Sequence, residues 1–279
     1  IYTALVNARL SIKSKDNYSR FSSLIRPAIE SLDIILAQFV SDKKRFLELA
    51  NPKEINICGN LKFDQDVPSE LEEISKTIRK DWSIDGENRY TLIAASTHEG
   101  EEVIVLDAFK NIIKKHPHAL LILVPRHLER FEKVKKIVRD SGLRMASRSK
   151  KTEVVPKTQV LLGDTIGELN FLYSLADIAF VGGSLIDHGG QNLLEPSAQS
   201  LPLLSGPSLR NFSDISDQLI DKGCLEIVHN SEQLSRKFIE YVENDTDLRS
   251  KGSAAFEVFN SNRGALQIIL GHLKAPLDN

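Results

Sequence analysis

The residues best suited to chemistry follow a short apolar run. Ile178 to Val181 leads into the glycine-rich segment Gly182 to Gly190 and then into a predicted helix that carries Asn192 and Glu195. Glycines let a ligand approach the backbone, N–H groups at a helix start attract anions, and a first-turn carboxylate can accept hydrogen bonds from a ribose diol. This layout indicates a nucleotide pocket, although an ordinary strand-to-helix turn contains similar glycines.

Three further loops follow predicted strands in the same way. In open parallel sheets, ligands bind beyond the carboxyl ends of the strands, where the loops lead into helices. This rule selects Ser96 to Glu102, Pro125 to His127 and Gly163 to Glu168, in addition to the segment from Gly182 to Pro196.

The first two of these loops carry candidate anion contacts. Ser96 and Glu99 have the spacing of a capping box, and the same helix start could hold a phosphate or carboxylate through the Ser96 and Thr97 hydroxyls. Gly189 and Gly190 of the glycine-rich segment are further candidate contacts of this kind. Arg126 emerges directly after a predicted strand, where its guanidinium suits phosphate oxygens, and a surface salt bridge is the alternative. His127 is expected to support its neighbours by hydrogen bonding rather than to act as an acid or base.

The third loop, around Gly167 and Glu168, is polar and precedes an apolar helix. Its backbone groups could contact the edge of a base while Glu168 caps the helix, and a plain cap is the alternative.

Apolar runs alternate with helical patterns along the whole chain, which predicts an α/β fold with a mostly parallel sheet. The predicted helices near the start are Tyr18 to Ser31 and Ser41 to Leu49. The predicted strands are Thr3 to Asn7, Asp33 to Gln38, Ile55 to Cys58, Tyr90 to Ala95, Ala119 to Val124, Val160 to Leu162, Ile178 to Val181, Pro202 to Leu204 and Leu225 to Val228.

Composition excludes several functional classes. A formal net charge of −2 gives no overall field for nucleic acid, and no apolar run is long enough to cross a bilayer. Scattered histidines and carboxylates lack the spacing of a metal site, and no P-loop, dinucleotide fingerprint or nucleophile elbow is present. We therefore expect neither a metal nor a cofactor.

A polar segment lacking a strand pattern, residues 64–88, separates the first three strands from the later six and is the expected linker. It divides residues 1–63 from a larger domain at 89–262, which a C-terminal helix and tail at 263–279 follow. The only methionine is Met145, and a strand begins at the first residue, so we expect the chain to be a fragment.

Seven motifs, in order and spacing, resemble the 3-deoxy-D-manno-octulosonic acid (Kdo) transferases. They are Asn7 to Ser11, Gly59 to Asp64, Ser96 to Glu102, Val124 to His127, Gly163 to Leu169, Phe180 to Leu185 and Asn192 to Pro196. The resemblance implies GT-B architecture, in which two Rossmann-like domains face a cleft. Here the C-terminal donor domain and its parallel sheet would be complete, and residues 1–63 would be the end of a partly present N-terminal acceptor domain.

The resemblance also implies a reaction and its residues. The family transfers Kdo from CMP-Kdo to a lipid A precursor with inversion and without a metal, in lipopolysaccharide synthesis at the cytoplasmic face of the Gram-negative inner membrane. Lys62 matches a position that stabilises the transition state. The expected CMP contacts are Pro125, Arg126, Ile166, Gly167, Glu168, Asn192, Leu193, Leu194 and Glu195.

In the family the catalytic base is a glutamate near a membrane anchor at the N-terminus, and no residue of this chain matches that motif. Glu30 and Glu48 lie in other contexts. We therefore expect the chain alone to bind CMP without transferring sugar, and expect membrane contact through the absent portion. A GT-B transferase or epimerase with a uridine donor and a noncatalytic nucleotide-binding module are the alternatives.

Overall fold

The computed structural model describes residues 1–64 and 70–277 and confirms the α/β class. Contacts divide the chain into two compact units, Ile1–Asp66 with Phe259–Asn279 and Val67–Val258. The strands are β1 (Ala4–Ala8), β2 (Ile34–Ala37), β3 (Ile55–Ile57), β4 (Thr91–Thr97), β5 (Leu120–Pro125), β6 (Met145–Ser147), β7 (Val160–Leu162), β8 (Ile178–Val181), β9 (Leu203–Ser205) and β10 (Leu225–Ile227). The α-helices are α1 (Ile12–Ser19), α2 (Ser22–Ser31), α3 (Val40–Leu49), α4 (Glu70–Asp81), α5 (Glu101–Lys115), α6 (Phe131–Asp140), α7 (Leu169–Ser174), α8 (Leu194–Ala198), α9 (Ser213–Asp221), α10 (Ser231–Glu243), α11 (Asp245–Ser261) and α12 (Ala265–Leu277).

The smaller unit is built on a three-stranded parallel sheet in the order β1-β2-β3. Strand β2 is buried along its whole length, because alternate residues pack to opposite faces. Ile35 packs with Phe46 and Leu49 of α3, while Ile34 and Leu36 pack with Ile269 of α12. The sheet is therefore covered on both sides, once by the helices that follow its strands and once by the last helix of the chain.

The attachment of α12 is polar as well as apolar. The carboxylate of Asp64, at the end of the 3₁₀ helix Leu61–Asp64, accepts the N–H groups of Gly264 and Leu266, each at 2.6 Å. These N–H groups stand at the start of α12, where a helix has donors without internal partners and a partial positive charge. Asp64 therefore caps the helix from a distance of 200 residues along the chain.

The larger unit contains a seven-stranded, wholly parallel sheet in the order β10-β9-β8-β4-β5-β7-β6. The chain first builds outward from β4 through β5 toward β6 and β7, and then crosses back to place β8 on the other side of β4. The order of connections therefore reverses between β4 and β8. In doubly wound sheets this switch point is where the carboxyl ends of the strands open a crevice for ligands.

The middle of this sheet is completely buried. Leu92, Ile93, Phe180 and Leu121 are each 0% exposed, as expected for strands covered by helices on both faces. Phe109 of α5 and Phe238 of α10 pack in the core on one face. This core fixes the positions of the strand ends from which the candidate site loops depart.

The expected linker at residues 64–88 differs from what the structure contains. Residues 65–69 lie outside the described residues, but the rest includes the twelve-residue helix α4, which belongs to the larger unit. The guanidinium of Arg79 on α4 donates to the half-buried carboxylate of Asp177 at 2.6 Å. Sequence polarity suggested a linker because α4 exposes many Glu and Lys side chains and buries few apolar ones.

Two other local predictions need correction. The helix expected over residues 18–31 corresponds to α2, while helix α1 and strand β6 were not predicted. Strand β6, with the sequence Met145-Ala146-Ser147, lacks the apolar, β-branched run that marks the other strands. Of the expected C-terminal helix and tail, α12 ends at Leu277, and residues 278–279 lie outside the described residues. In the part of the chain that the structure describes, no helix is both long and apolar enough to span a bilayer.

Candidate nucleotide site

The candidate site is built around the carboxylate of Glu101, the first residue of α5. Its Oε2 accepts the N–H groups of His98 at 2.9 Å and Gly183 at 2.7 Å, and its Oε1 accepts those of Ser184 at 3.0 Å and Leu185 at 2.9 Å. Glu101 is 0% exposed. The four bonds use the acceptor capacity of a carboxylate fully, so this charge is buried with its hydrogen bonds satisfied. They also join the loop after β4 to the loop after β8.

We call these four hydrogen bonds the Glu101 joint. The close approach of the two loops at this joint explains why the segment has a glycine at position 182. A Cβ at position 182 would stand 2.7 Å from the Ser96 carbonyl oxygen and 2.9 Å from Glu101 Oε2, so only glycine fits there without a shift. Thus Gly182 is required by a close approach of two loops within the protein. The N–H groups of Gly183, Ser184 and Leu185 are directed at Glu101, not at a ligand.

A second buried carboxylate connects the loops after β4 and β5. Glu102 accepts from Arg130 Nη1 at 2.5 Å and Nη2 at 3.0 Å in a bidentate pair, and from the hydroxyl of Thr97 at 3.0 Å. The Arg126 N–H also donates to the Thr97 carbonyl at 3.0 Å. Bidentate arginine pairs fix both distance and orientation, so the backbone at Arg126 is positioned by Thr97 and Glu102.

The predicted anion contacts in these loops have other partners in this structure. The hydroxyl of Thr97 is buried against Glu102, the N–H of Gly189 donates to Ser208 Oγ at 2.9 Å, and the N–H of Gly190 donates to the Gly183 carbonyl at 2.8 Å. Ser96 is half-buried and ends the regular part of β4 with a φ of 55°. In Thr97, Gly189 and Gly190, the donor group that was expected to bind a ligand therefore forms a hydrogen bond within the loops instead.

The expected capping box of Ser96 and Glu99 is wrong. Helix α5 begins at Glu101, after Gly100 at a φ of 96°, so Ser96 lies in a strand and not at the helix N-cap. Glu99 is exposed and forms an ion pair with Lys133. Helix α5 has Gly100 at its N-cap and no side-chain cap bond. The sequence pattern placed the helix start too early, because the turn at Gly100 lies between Glu99 and the first helical residue, Glu101.

Among the predicted CMP contacts, Pro125 ends β5 and is buried, while Arg126 directly after it is exposed at the carboxyl edge of the sheet. Exposure leaves the Arg126 guanidinium accessible at the edge where doubly wound sheets bind ligands.

Ile166, Gly167 and Glu168 lie in the loop between β7 and α7. Ile166 is 69% exposed, and Gly167 has a φ of 80°. The carboxylate of Glu168 accepts from Arg148 Nη2 at 2.9 Å and Nε at 3.1 Å, and from Thr165 Oγ1 at 2.6 Å. The bond from Arg148, followed by that from Thr165, lowers the pKa of Glu168. Glu168 occupies the N-cap position of α7, but its side chain makes no cap bond, so the expected side-chain cap is wrong.

This loop opens on a cavity of about 910 Å³. Ile166 and Glu168 line it together with Arg148, Trp82 and Phe171. The Arg148 guanidinium also stands 5.0 Å from the centre of the Phe171 ring. A cavity of this size, with aromatic walls and a few polar groups, matches the usual small-molecule pocket.

The fourth predicted contact segment lies between β8 and α8. Asn192 Oδ1 accepts the Leu194 N–H at 3.1 Å, and Asn192 Nδ2 donates to Glu195 Oε1 at 2.8 Å. Asn192 precedes α8 rather than lying on it, which corrects the sequence prediction. Leu193 and Leu194 are 0% and 3% exposed, so their side chains serve the core and could meet a ligand only through backbone atoms. Helix α8 contacts α7, which places the segment beside the Glu168 loop.

Sequence reasoning missed a cluster of aromatic and polar side chains at the switch point. The rings of His98 and His188 have centroids 4.0 Å apart, and His98 meets His127 edge-on at 5.4 Å. Gln191 Nε2 lies 3.0 Å from His98 Nε2. The sequence contained a signal for this cluster, because each histidine follows one of three strands, β4, β5 and β8, that are neighbours in the sheet. It was overlooked because the order of the strands in the sheet was not known.

Lys62, the expected transition-state stabiliser, lies in the smaller unit on the 3₁₀ helix Leu61–Asp64. It is exposed, and its backbone N–H donates to Asn60 Oδ1 at 3.0 Å. Its role stays a prediction. Among residues 1–64 and 70–277, no group of three or more His, Cys, Asp or Glu is arranged to hold a metal ion.

Comparisons with known proteins agree with the resemblance in the motifs. The model of the 3-deoxy-D-manno-octulosonic-acid transferase family matches residues 1–65. The chain is 39% identical to the 3-deoxy-D-manno-octulosonic acid transferase of Haemophilus influenzae over 277 residues, which is 98% of this chain and 64% of that protein. It is 36% identical to the transferase of the same name from Bordetella pertussis, over 79% of this chain and 51% of that protein.

A solved structure matches about two thirds of the chain. The crystal structure of the C-terminal CMP-Kdo binding domain of WaaA from Acinetobacter baumannii matches with a TM-score of 0.64 and 31% identity, over 68% of this chain and 97% of that domain.

The fold is that of the GT-B glycosyltransferases. Within that class, the chain belongs to the 3-deoxy-D-manno-octulosonic acid transferase family. It spans 64%, 39% and 51% of the lengths of the first three curated relatives.

The joint at Glu101 yields a stability prediction. In Glu101→Gln one oxygen is replaced by an amide NH₂, which cannot accept from the backbone N–H groups on that side. We expect the free energy of unfolding, measured by urea denaturation, to fall by about 2 to 4 kcal/mol. Glu99→Gln, an exposed neighbour in the same loop, is the control and should change it by less than about 0.5 kcal/mol. Equal effects of the two substitutions would show that the joint does not stabilise the fold.

Proposed function

We propose that this chain provides the donor-binding part of a Kdo transferase, which moves Kdo from CMP-Kdo to a lipid A precursor in lipopolysaccharide synthesis. The observation that carries the proposal is the 31% identity to nearly the whole of a domain described as binding CMP-Kdo. The site loops support it, because the motifs assigned to CMP by the family lie in loops at one edge of one parallel sheet.

We assign the phosphate, the ribose and the base of CMP to different residues on the basis of their chemistry. The Arg126 guanidinium is exposed at the strand end and suits phosphate oxygens. Glu195 carries a carboxylate that suits a ribose diol, and Asn192 orients it through the bond of 2.8 Å. The backbone of Ile166 and Gly167 would meet the base, since the Glu168 carboxylate is already engaged by Arg148.

The reaction has simple charge requirements. A base removes the proton from the acceptor hydroxyl, the oxygen attacks the anomeric carbon of Kdo from the face opposite the phosphate, and the bond from that carbon to the phosphate oxygen breaks. CMP departs with the electron pair, and the configuration inverts. Cations stabilise the charge that develops on the leaving phosphate. Arg126 would do this, and the family assigns a similar role to Lys62. No metal is invoked.

The cellular setting belongs to the same proposal. A lipid A precursor is a membrane lipid, so transfer would occur at the cytoplasmic face of the inner membrane. Contact with the membrane surface would come from a portion of the protein outside these 279 residues.

Nucleotide selectivity is the direct test. We expect the purified chain, in calorimetric titrations, to bind CMP and to bind UMP and NAD much more weakly or not at all, because cytosine and uracil differ in the donors and acceptors on their pairing edge. Preference for UMP would favour a uridine-dependent GT-B enzyme and contradict the proposal. CMP binding without activity, even after the rest of a family enzyme is joined to the chain, would favour a noncatalytic module.

Glu195 offers a test of the ribose contact. Replacing Glu195 by Gln removes the charge that accepts the ribose hydroxyls, so the affinity for CMP should weaken by about 1 to 3 kcal/mol in the same titration. Glu232→Gln is the matched control, since Glu232 is an exposed first-turn glutamate of α10. An unchanged affinity in Glu195→Gln would remove Glu195 from the site.

The catalytic base leads to a third expectation. The family's base has no matching residue in this chain, so we expect no transfer of Kdo from CMP-Kdo to a lipid A precursor by the purified 279-residue chain. Product formation can be followed by mass spectrometry of the extracted lipid. Conversion of a lipid A precursor by this chain alone would mean that a base is present among its residues.

A further inference from the structure

Three histidines from three loops meet at the switch point of the larger sheet. His98 follows β4, His127 follows β5 and His188 follows β8. The His98 ring lies 4.0 Å from the His188 ring and 5.4 Å from the His127 ring, centroid to centroid. His98 is 7% exposed, whereas His127 and His188 are exposed to solvent. The cluster is therefore a buried ring flanked by two accessible ones.

The tautomer of the buried ring follows from its neighbour. An amide nitrogen can only donate, so Gln191 Nε2 donates to His98 Nε2 across 3.0 Å, and the proton of neutral His98 is on Nδ1. Gln191 thus orients the central histidine while leaving the outer rings free to turn their N–H groups toward a ligand.

The surroundings of the cluster are rich in positive charge. Burial, and then the charges of His188, His127, Arg130 and Arg126, lower the pKa of His98 to about 4. Four carboxylates of these loops are engaged by other groups, and the one paired with Arg130 offsets part of this positive charge. Glu101 binds four N–H groups, Glu102 binds Arg130, Glu99 pairs with Lys133, and Asp187 pairs with Arg210.

The cluster also adjoins the residues that the proposed function gives to CMP. His127 directly follows Arg126, and Gln191 directly precedes Asn192. Several backbone N–H groups here are engaged within the loops, as at Gly183, Gly189 and Gly190. Imidazole N–H groups are the donors that the loops present in their place.

We propose that His98, His127 and His188 form an oxyanion subsite, which binds the negatively charged part of the donor beyond the nucleoside. The inference rests on the proposed function. In a CMP-linked sugar acid the oxyanion has two sources, the phosphate and the carboxylate of the sugar. Both accept hydrogen bonds from imidazole N–H groups, and both favour the protonated rings.

The test compares three probes on the full 279-residue chain: cytidine, CMP and CMP-Kdo. His127→Ala and His188→Ala remove exposed rings, so their effect on folding should be small. His118→Ala is the matched control, because His118 is exposed and precedes the same strand, β5, that His127 follows. Affinities are measured by calorimetry at a pH near 6, and each variant is compared with the wild-type chain.

We expect all variants to bind cytidine as the wild type does. A loss of about tenfold for CMP in His127→Ala or His188→Ala, absent in His118→Ala, identifies the phosphate as the bound group. A loss of that size that appears only for CMP-Kdo identifies the sugar carboxylate. Wild-type affinities for CMP and CMP-Kdo in both variants overturn the subsite but leave the proposed function intact. A wild-type chain that binds neither CMP nor CMP-Kdo overturns both.

The His98 ring gives a second readout that a merely structural cluster would not change. Its ring resonances should titrate near a pH of 4 in the free chain, and an anion bound at the cluster should raise that midpoint because it stabilises the protonated ring. A midpoint that does not rise at saturating CMP or CMP-Kdo contradicts the subsite.

Discussion

The buried carboxylate of Glu101 is the interaction on which the candidate site depends. It accepts four backbone N–H groups, one from its own loop and three from the start of the loop after β8. A buried carboxylate is costly unless its acceptor sites are filled, and the N–H groups would be equally costly without an acceptor. The carboxylate and the N–H groups therefore require each other, and the two loops at the switch point have little freedom to separate.

The sheet creates the need for such a joint. Strands β4 and β8 are neighbours in space but are separated by 80 residues of chain that build the other half of the sheet. The loops that follow them meet at the carboxyl edge of the sheet, where backbone N–H groups need acceptors. Glu101 supplies these acceptors, and Glu102 with Arg130 fixes the next loop along. The ligand edge is thus shaped by buried ion pairs and carboxylates before any ligand contributes.

The same bonds divide the site residues into those that shape the loops and those that remain accessible. Thr97, Gly189 and Gly190 use their donors internally, whereas Arg126, His127 and His188 are exposed at the edge. A recognition surface of side chains on a rigid, internally satisfied backbone is consistent with binding an anionic nucleotide donor. In the glycine-rich loop, the N–H groups of Gly183, Ser184 and Leu185 serve a carboxylate of the protein.

The sequence by itself determined the α/β class, most of the strands and the loops that form the site, because buried parallel strands are continuous apolar runs and their carboxyl ends carry the polar loops. Its motifs also identified the family. It could not locate the start of α5, since Ser96 and Glu99 have the spacing of a capping box while the turn at Gly100 delays the helix to Glu101. It presented residues 64–88 as a linker, because α4 exposes many Glu and Lys side chains and buries few apolar ones. The histidine cluster and the hydrogen bonds of Glu101 depend on which strands are neighbours. That was decided by the tertiary structure, where packing brings His188 beside His98 and Gly183 beside Glu101 across more than 80 positions of sequence.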